Sequence, residues 1–410
     1  MANAGRMVLT LVLVVAASAG LGLALPQPAE AQLPISKEYK YTGTGSCAAS
    51  NCHGAKKPAQ KPGDPDDTYT IWAAKDKHNK AYTTLTKKES AAIVQKMKLQ
   101  KATDEPKCVG CHALKLDKAQ LAPRAKYDVT EGVSCDSCHG PAEKWLDGHD
   151  KGTKGGWPHE KSVPVGMYDT KDVLKRAELC VACHLAIEAE MVAAGHPTMV
   201  FELENFSQNQ PPHWKDVKDW FSASSWSTGQ AVALREALQQ LAARAKGNAP
   251  DALYQESLVQ AKGHLIAFRP MVAQIAADSA KALDDVLGGL GDGKDKAKTA
   301  AAADTGAKVA TDLAMKAAGA KYNKDLVLAA LKALAGDPQR AVSAGLRSAE
   351  QVAYGVDSLF RAVNTATKLP EAKAIDAAIG KMFDDLPQKP ADFKADKFIA
   401  NLQGVAKAIK

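Results

Sequence analysis

The sequence K-C-V-G-C-H-A occupies residues 107–113, and S-C-D-S-C-H-G occupies residues 134–140. Both contain C-x-x-C-H, in which two cysteines separated by two residues are followed directly by a histidine. This pattern is the attachment site of a c-type haem. The two thiols form thioether bonds to the haem vinyl groups, and the histidine binds the iron through an imidazole nitrogen. Two spacer residues set the sulfurs about one helical turn apart, so both reach the same porphyrin edge.

The pattern recurs at residues 180–184, and a longer form, C-A-A-S-N-C-H, occupies residues 47–53. The longer form has four residues between its cysteines, so it needs a looser loop to bring the sulfurs together. Four motifs predict four covalently bound haem c groups. The predicted attachment residues are Cys47, Cys52, Cys108, Cys111, Cys135, Cys138, Cys180 and Cys183, and the proximal iron ligands are His53, His112, His139 and His184.

All eight cysteines of the chain belong to these four motifs, so none is left for a disulfide. Zinc is the competing interpretation, because paired C-x-x-C sequences build tetrahedral thiolate sites. Zinc sites do not require a histidine directly after every second cysteine, whereas every motif here has one. The pattern therefore favours haem.

Residues 1–31 are predicted to be a signal peptide. A short basic start at Arg6 precedes an apolar stretch at 7–25, and A-E-A at 29–31 fits a cleavage site before Gln32. The apolar stretch is long enough for an uncleaved membrane anchor, which is the alternative. Export agrees with haem attachment, which in bacteria takes place outside the cytoplasmic membrane. We therefore expect a periplasmic or otherwise exported, soluble protein with no transmembrane span after cleavage.

The composition divides the mature chain into two predicted domains. Residues 32–224 carry all haem motifs with few long apolar runs, which predicts a haem-wrapped domain of short helices with little regular sheet. Residues 225–410 lack cysteine and follow a helical period, which predicts an α-helical domain. The fold class is thus mainly α. Since the second domain has no cysteine, we expect it to be unnecessary for haem attachment.

Several local patterns predict helix boundaries. Thr86 and Glu89 have the spacing of a capping box ahead of a helix over 91–99. Four further helices are predicted at about 323–335, 338–364, 371–384 and 391–408, with breaks at 288–295 and 387–390. The alanine run at 300–303 is predicted to be a flexible connection.

The formal charge of +7 would suggest an anionic partner such as nucleic acid or lipid. Four haems add about eight propionate charges, partly offset by oxidised iron, which brings the loaded protein near neutrality. Lysine-rich stretches such as 56–57 and 96–101 are therefore interpreted as solvated faces or propionate partners, and no nucleic-acid partner is expected.

Six histidines remain as candidates for the second axial position of the irons. His78 has Trp72 and Tyr82 nearby, and rigid glycine or proline neighbours flank His196 and His213. The full set of predicted distal ligands is His78, His149, His196 and His213. His159 is a weaker candidate. His264 is expected to be an ordinary helix residue, with a surviving distal ligand as the alternative. If the iron beside His112 is closed by a protein ligand, the predicted candidates are His213 and His264. Methionine remains an open alternative, and it would raise the reduction potential relative to histidine.

These motifs resemble the tetrahaem cytochrome c-554 family of ammonia oxidisers. The likeness rests on D-K-H-N-K-A-Y at 76–82, G-V-S-C-D-S-C-H-G-P-A at 132–142, W-L-D-G-H at 145–149 and R-A-E-L-C-V-A-C-H-L at 176–185. The chain also resembles a wider group of exported multihaem cytochromes with A-A-G-H-P and F-E-L after the last haem motif. The likeness covers about residues 41–220, and the helical half is similar to the tails of that wider group.

The resemblance implies a protein that passes electrons between periplasmic redox partners through haems packed in close pairs. By position, it implies that His149 binds the first iron, His78 the third and His196 the fourth. It also implies an open, five-coordinate iron beside His112. Two features depart from the pattern: the longer spacer of the first motif, and the absence of cysteine near His264, where some of the wider group carry another haem.

Three functional hypotheses follow. The favoured one is a pure electron carrier, because six spare histidines for four irons do not force an open site. The alternative is a multihaem oxidoreductase that acts on a small nitrogen compound at an open haem. In a third hypothesis the chain is a subunit of a larger respiratory complex and docks through its helical half.

Overall fold

The regular structure of the chain is almost entirely helical. The computed structural model describes four ranges of the chain, which are 36–60, 64–149, 156–211 and 220–409. Within them the only β pairing is an isolated parallel bridge between Tyr41 and Leu121. The prediction of a mainly α fold is confirmed. The predicted signal peptide at residues 1–31 lies outside the described residues.

The haem-motif half is built from short helices joined by turns. Its α-helices are α1 Thr68–Lys75, α2 Ala81–Leu85, α3 Lys88–Lys96, α4 Pro106–His112, α5 Cys135–His139, α6 His159–Ser162, α7 Val173–His184, α8 Ala189–Ala194 and α9 Leu203–Asn209. Short 3-10 helices lie between them at Thr44–Ser46, Lys77–Lys80, Lys118–Gln120, Val129–Glu131 and Val163–Val165.

The second half is a bundle of longer helices. They are α10 Phe221–Lys246, α11 Asp251–Ile275, α12 Ala277–Leu290, α13 Lys296–Gly319, α14 Lys324–Gly336, α15 Pro338–Ala341, α16 Leu346–Thr367, α17 Ala372–Asp384 and α18 Ala395–Ala408, with a 3-10 turn at Pro390–Asp392. In this bundle α10 packs against α13, α11 and α16, so it lies at the centre. No helix in the described part of the chain is long and apolar enough to cross a membrane.

The predicted capping box at Thr86 does not form. Helix α3 begins at Lys88, and no side chain caps its N-terminus. Thr86 instead ends α2, where its hydroxyl donates to the carbonyl oxygen of Thr83 at 2.9 Å. The prediction is wrong because Thr86 caps the end of the preceding five-residue helix α2.

The helix predictions for the second half are mostly confirmed. Helices α14 and α17 match the predicted ranges, and Gly291 ends α12 inside the predicted break. The helix predicted over 338–364 is divided in two, because the chain turns at Gly345 with a φ of 65° that favours glycine. The flexible connection predicted at 300–303 is wrong. Those alanines lie inside α13, in keeping with the highest helix propensity of any residue.

The largest hydrophobic core is shared between the two halves. Val181 of α7 and the next residue after α7, Leu185, belong to the same buried cluster as Phe201, Leu203 and the apolar faces of the bundle helices. Helix α7, which carries the fourth haem motif, packs along α10. The fourth motif is therefore supported by the helical half, although the composition changes sharply between the two.

Candidate haem-binding sites

Three of the four motifs lie at the C-terminal ends of helices. Helices α4, α5 and α7 end at His112, His139 and His184, so each pair of motif cysteines occupies one helical turn. Local capping positions these helices: the Glu105 side chain accepts from the Lys107 amide ahead of α4, and a proline stands at its first position.

The first motif is not helical and forms consecutive turns. The amide of Cys52 donates to the carbonyl oxygen of Ala49 at 2.9 Å, and the amide of His53 donates to that of Cys47 at 3.3 Å. The four-residue spacer is thus folded back so that both cysteines lie beside the histidine. This is the looser loop that the longer spacing predicts.

Four of the eight motif cysteines lie close together in two pairs. All eight lie in the described residues, and none forms a disulfide. The thiol of Cys47 interacts with that of Cys135, and the thiol of Cys111 interacts with that of Cys183. Hydrogen bonding to the neighbouring sulfur, with burial, raises the pKa of Cys47 and Cys183. The first motif is therefore adjacent to the third, and the second to the fourth.

His53 and His149 form the first of three histidine pairs. Their ring centres are 6.0 Å apart, and the ring planes differ by 14°. Nδ1 of His53 lies 3.0 Å from Oδ1 of Asp66. Nδ1 of His149 lies 2.7 Å from the carbonyl oxygen of Leu146. Because both δ nitrogens are engaged by acceptors, the ε nitrogen of each ring is left as a metal ligand.

His78 and His184 form the second pair, with ring centres 5.9 Å apart and planes at 82°. His78 lies in the 3-10 helix that follows Asp76, and its Nδ1 is 3.0 Å from Oδ1 of Asp76. Phe201 and Phe206 contact the His184 ring at centroid distances of 5.2 and 5.8 Å. Burial lowers the pKa of His184 to about 4, which keeps this imidazole in the neutral, metal-binding form.

His112 and His196 form the third pair, with ring centres 6.4 Å apart and planes at 79°. Nδ1 of His112 is 2.8 Å from the Thr84 hydroxyl and 3.0 Å from the carbonyl oxygen of Ala81. Nδ1 of His196 is 2.9 Å from the carbonyl oxygen of Pro197. The turn before His196 is made by Gly195, whose φ of 118° favours glycine, as the sequence predicts.

The three pairs have the geometry that one iron between two imidazoles requires. An imidazole nitrogen binds a transition metal at about 2 Å, so two rings on opposite sides of one metal have centres roughly 6 Å apart. The observed separations of 5.9, 6.0 and 6.4 Å agree with this value. The residues therefore fit haem groups held by two histidines each.

Two carboxylates support these pairs, and neither was singled out from the sequence. Burial tends to raise the pKa of Asp66, but hydrogen bonds from His53 and Thr68 lower it to about 2. The same holds for Asp76. Burial tends to raise its pKa, but hydrogen bonds from His78 and Gln210 lower it to about 2. Each carboxylate is thus ionised and accepts from a histidine of one pair, which raises the basicity of the imidazole.

The observed pairing differs from the one that the family resemblance implies for two histidines. His149 faces the first motif, as implied. His78 faces His184 of the fourth motif, whereas the resemblance placed it on the third. His196 faces His112 of the second motif, whereas the resemblance placed it on the fourth and left the second open.

Three further histidines are candidates from the sequence, and two of them lie in the described residues. His213 lies outside the described residues. Nε2 of His159 lies 2.8 Å from Oδ1 of Asp169, so its ε nitrogen is engaged by a carboxylate. His264 is buried in α11, where its Nδ1 lies 2.9 Å from Oε1 of Gln230. Its place inside a helix agrees with the sequence-based expectation.

Part of the N-terminal half is similar to known proteins. Residues 46–140 match the family model described as cytochrome c554 and c-prime. The resemblance to the cytochrome c-554 family is confirmed. Cytochrome c-554 of Nitrosomonas europaea is 31% identical over 121 residues, which cover 27% of this chain and 49% of the relative. The chain therefore spans about half the length of this cytochrome c-554.

The cytochrome c-554 match implies covalently bound haem c at the C-x-x-C-H motifs. It covers the first three motifs and ends just beyond His139. No solved structure matches the chain. In the described ranges no group of three or more His, Cys, Asp or Glu side chains is arranged to hold a metal ion.

Proposed function

We propose that the chain is an exported tetrahaem c-type cytochrome that carries electrons between redox partners. Haem iron alternates between ferric and ferrous states, which supplies the one-electron chemistry. The observation that supports this function is the set of three histidine pairs with ring centres 5.9 to 6.4 Å apart. Five of the six δ nitrogens in these pairs are hydrogen-bonded, which leaves the ε nitrogens of those rings as the atoms that would bind a metal.

The residues of the chain have distinct roles in this proposal. The eight cysteines anchor four haems covalently, with His53, His112, His139 and His184 as proximal ligands. His149, His78 and His196 are distal ligands in the pairing described above, and His213 remains a candidate for the remaining iron. Ligation by two histidines favours low reduction potentials, which suits transfer between respiratory partners.

The alternative function is an oxidoreductase with one open haem. The family resemblance implies that the open iron is the one beside His112. The position of His196, with its ring centre 6.4 Å from that of His112, supports a closed site there. A small molecule would then have to displace a strong imidazole ligand, so the geometry favours an electron carrier over a catalyst at this haem.

The haem count and the export are tested together by intact-protein mass spectrometry of the chain isolated from a periplasmic fraction. We expect the mass of residues 32–410 plus four haems. A mass with three haems would remove the first motif, with its four-residue spacer, from the haem sites. A mass that retains residues 1–31 would contradict signal cleavage.

The ligand role of His196 is tested with His196→Ala. We expect one haem in four to become high-spin in the oxidised EPR spectrum and to bind carbon monoxide rapidly when reduced, while the haem count stays at four. Loss of a distal ligand leaves the thioether bonds intact, so attachment should not change. His159→Ala is the matched control, because its ε nitrogen faces Asp169, and it should retain the wild-type spectrum. Carbon monoxide binding by the wild-type haem at Cys108 and Cys111 would favour the catalytic alternative.

A further inference from the structure

One stretch of the haem-motif half has an unusually high density of positive charge. Residues 75–101 contain eight lysines and only two carboxylates, Asp76 and Glu89. Asp76 is buried and bonded to His78, and it pairs with none of these lysines. All eight lysines are exposed. We refer to this set as the lysine surface, and its members are Lys75, Lys77, Lys80, Lys87, Lys88, Lys96, Lys98 and Lys101.

The charges of the lysine surface are not paired with carboxylates of the described residues. None of the eight forms an ion pair with a described residue, whereas the nearby Lys107 pairs with both Glu188 and Glu190. Lys87, Lys98 and Lys101 line one open depression of about 610 Å³. Unpaired like charges repel one another at this density, so an external anionic surface would stabilise the arrangement.

The lysine surface lies beside two of the three histidine pairs. Lys77 and Lys80 belong to the same 3-10 helix as His78. Helix α3 packs against α8, and α8 leads through Gly195 directly into His196. The Thr84 hydroxyl that contacts His112 lies on α2, immediately before the depression. A partner on this surface would therefore be close to the second and fourth haem motifs, whose cysteines Cys111 and Cys183 touch.

Lys98 has a conformation that favours glycine over lysine. Its φ is 58°, and the amide of Leu99 donates to the carbonyl oxygen of Val94 across the end of α3. This is the left-handed position of a Schellman motif, where glycine is the usual residue. A lysine at this position places a further charge at the rim of the depression. Lys98→Gly should therefore remove the charge without loss of the turn.

We propose that the lysine surface is the docking site of an acidic electron-transfer protein that exchanges electrons with the haems of the second and fourth motifs. This inference rests on the proposed function and adds to it the position and the charge of one partner. Complementary charge raises the rate of encounter by roughly 10- to 1,000-fold at low ionic strength. It also selects the partner's orientation, so that electrons enter or leave at this end of the molecule.

The test compares two triple charge reversals of the full-length holoprotein. The first is K87E/K98E/K101E, within the lysine surface. The second is K332E/K373E/K397E, at exposed lysines of the helical half, and it changes the net charge equally. The probes are reduced lumiflavin, a small uncharged reductant, and the hydroquinone of an acidic flavodoxin. The measured quantity is the second-order rate constant of haem reduction in stopped-flow experiments over a range of ionic strength.

The first variant should lower the flavodoxin rate at least about tenfold at low salt and abolish its salt dependence. The control variant should change the rate less than about twofold, and Lys98→Gly should give an intermediate loss. Lumiflavin should reduce all variants at the wild-type rate. If lumiflavin fails to reduce four haems in the wild type, the proposed function fails, independently of docking.

Three outcomes would overturn the docking proposal. Equal losses in both triple variants would show an effect of net charge alone. Shifted midpoint potentials and a slower lumiflavin reaction in the first variant would show that the lysines neutralise haem propionates. Binding of the wild type to phosphatidylglycerol vesicles, with an unchanged flavodoxin rate in the first variant, would assign the surface to anionic lipid.

Discussion

At the scale of single residues, the buried carboxyl group of Glu202 makes the stability of the fold depend on pH. Its side chain is almost fully buried beside Phe201, and it accepts hydrogen bonds from the amides of Glu204 and Asn205 at 2.8 and 2.7 Å. Burial raises its pKa to about 8, although these amides and the charge of Arg361 act in the opposite direction. The folded protein therefore holds this carboxyl protonated at neutral pH.

Replacement of this group by an amide should remove part of the pH dependence. The unfolded group ionises near pH 4.5, so between pH 4.5 and 8 the folded state binds one proton more than the unfolded state. Wild-type stability should therefore fall as pH rises through this window, by about 1.4 kcal/mol per pH unit. Glu202→Gln retains an acceptor for the amides and should lose that slope. Thermal unfolding between pH 5 and 8 measures the difference, with Glu89→Gln as an exposed control.

A constant difference between wild type and Glu202→Gln at all pH values would contradict a protonated Glu202. Such a result would mean that the carboxyl group is ionised in the folded state and stabilised by the helix amides alone. The Glu89→Gln control measures the effect of the same substitution at an exposed position.

The sequence singles out histidines that meet in the structure, but it does not indicate their pairing. Three motif histidines face His78, His149 and His196, which the sequence predicts as distal ligands. Their role as iron ligands stays a prediction. The motif that each distal histidine faces depends on how turns far apart in the chain pack together. No local sequence pattern predicts this packing. Asp76, which supports His78, stands only two residues before it, so this contact is predictable from the sequence. Asp66 has no such signal, because it stands 13 residues after His53 in the sequence.

At the scale of elements, the contact between α9 and α10 leaves no room for a side chain at Gly229. A Cβ built on Gly229 would lie 2.5 Å from Cβ of Leu203, the first residue of α9. Leu203 is fully buried and follows Glu202 and Phe201, which contacts the His184 ring. The central bundle helix therefore positions the segment that covers the fourth haem motif.

Gly229→Ala should separate these two helices. Overpacking typically costs about 1 to 3 kcal/mol, and it outweighs the gain in helix propensity of about 0.5 to 1 kcal/mol. We expect a net loss of about 1 to 2 kcal/mol in the free energy of unfolding and a changed spectrum of the haem at His184. Gly380→Ala is the matched control, because it lies within α17 with no atom within 4 Å of its Cβ position. It should stabilise the protein slightly, and denaturant titration measures both.

If Gly229→Ala were as stable as wild type, α9 would have to move freely on α10. The fourth haem motif would then not depend on the bundle. A spectral change without loss of stability would instead place the effect at the haem site alone.

Helix existence was more predictable than helix boundaries. Amphipathic periodicity predicted α14 and α17 closely, because each has one face on the core. The break at Gly345 depends on the local backbone conformation, which periodicity does not show. The alanines at 300–303 continue a helix because alanine has the highest helix propensity, a signal that the low-complexity interpretation overlooks. The start of α3 was also predicted wrongly. Thr86 caps the end of α2 rather than the start of α3, and the sequence spacing alone does not distinguish the two.

At the scale of the whole molecule, the helical half is joined to the haem-motif half by polar as well as apolar contacts. Gln230 contacts His264 through Oε1 and donates to Oε1 of Gln351 at 2.8 Å. Gln351 in turn donates to the carbonyl oxygen of Phe201 at 3.3 Å. This buried chain of hydrogen bonds links α11, α10 and α16 to the residue that contacts the His184 ring. Such a network fixes the position of its members because each partner is inaccessible to water.

The Arg244 guanidinium provides a second link. It is buried, donates to the carbonyl oxygen of Ile187 at 2.8 Å and contacts the hydroxyl of Ser257. Ile187 lies just after the fourth motif, so this arginine ties the bundle to the exit of α7. The sequence boundary at residues 224 and 225 is a change of composition. We propose that it is not a boundary between independently stable units.

A truncated chain that ends at Ser224 tests whether the haem-motif half depends on the helical bundle. Covalent attachment depends on the cysteines, all of which precede this point, so the truncated protein should still carry four haems. Without the bundle, the apolar side chains of Val181 and Leu185 would be exposed, and Phe201 would lose its support. We therefore expect the His184 haem to become partly high-spin and the truncated protein to aggregate, while the haem at His53 and His149 keeps its low-spin signal. Mass spectrometry and oxidised EPR measure the two parts separately. Four unperturbed low-spin haems in a monomeric truncated protein would show instead that the haem-motif half folds without the bundle.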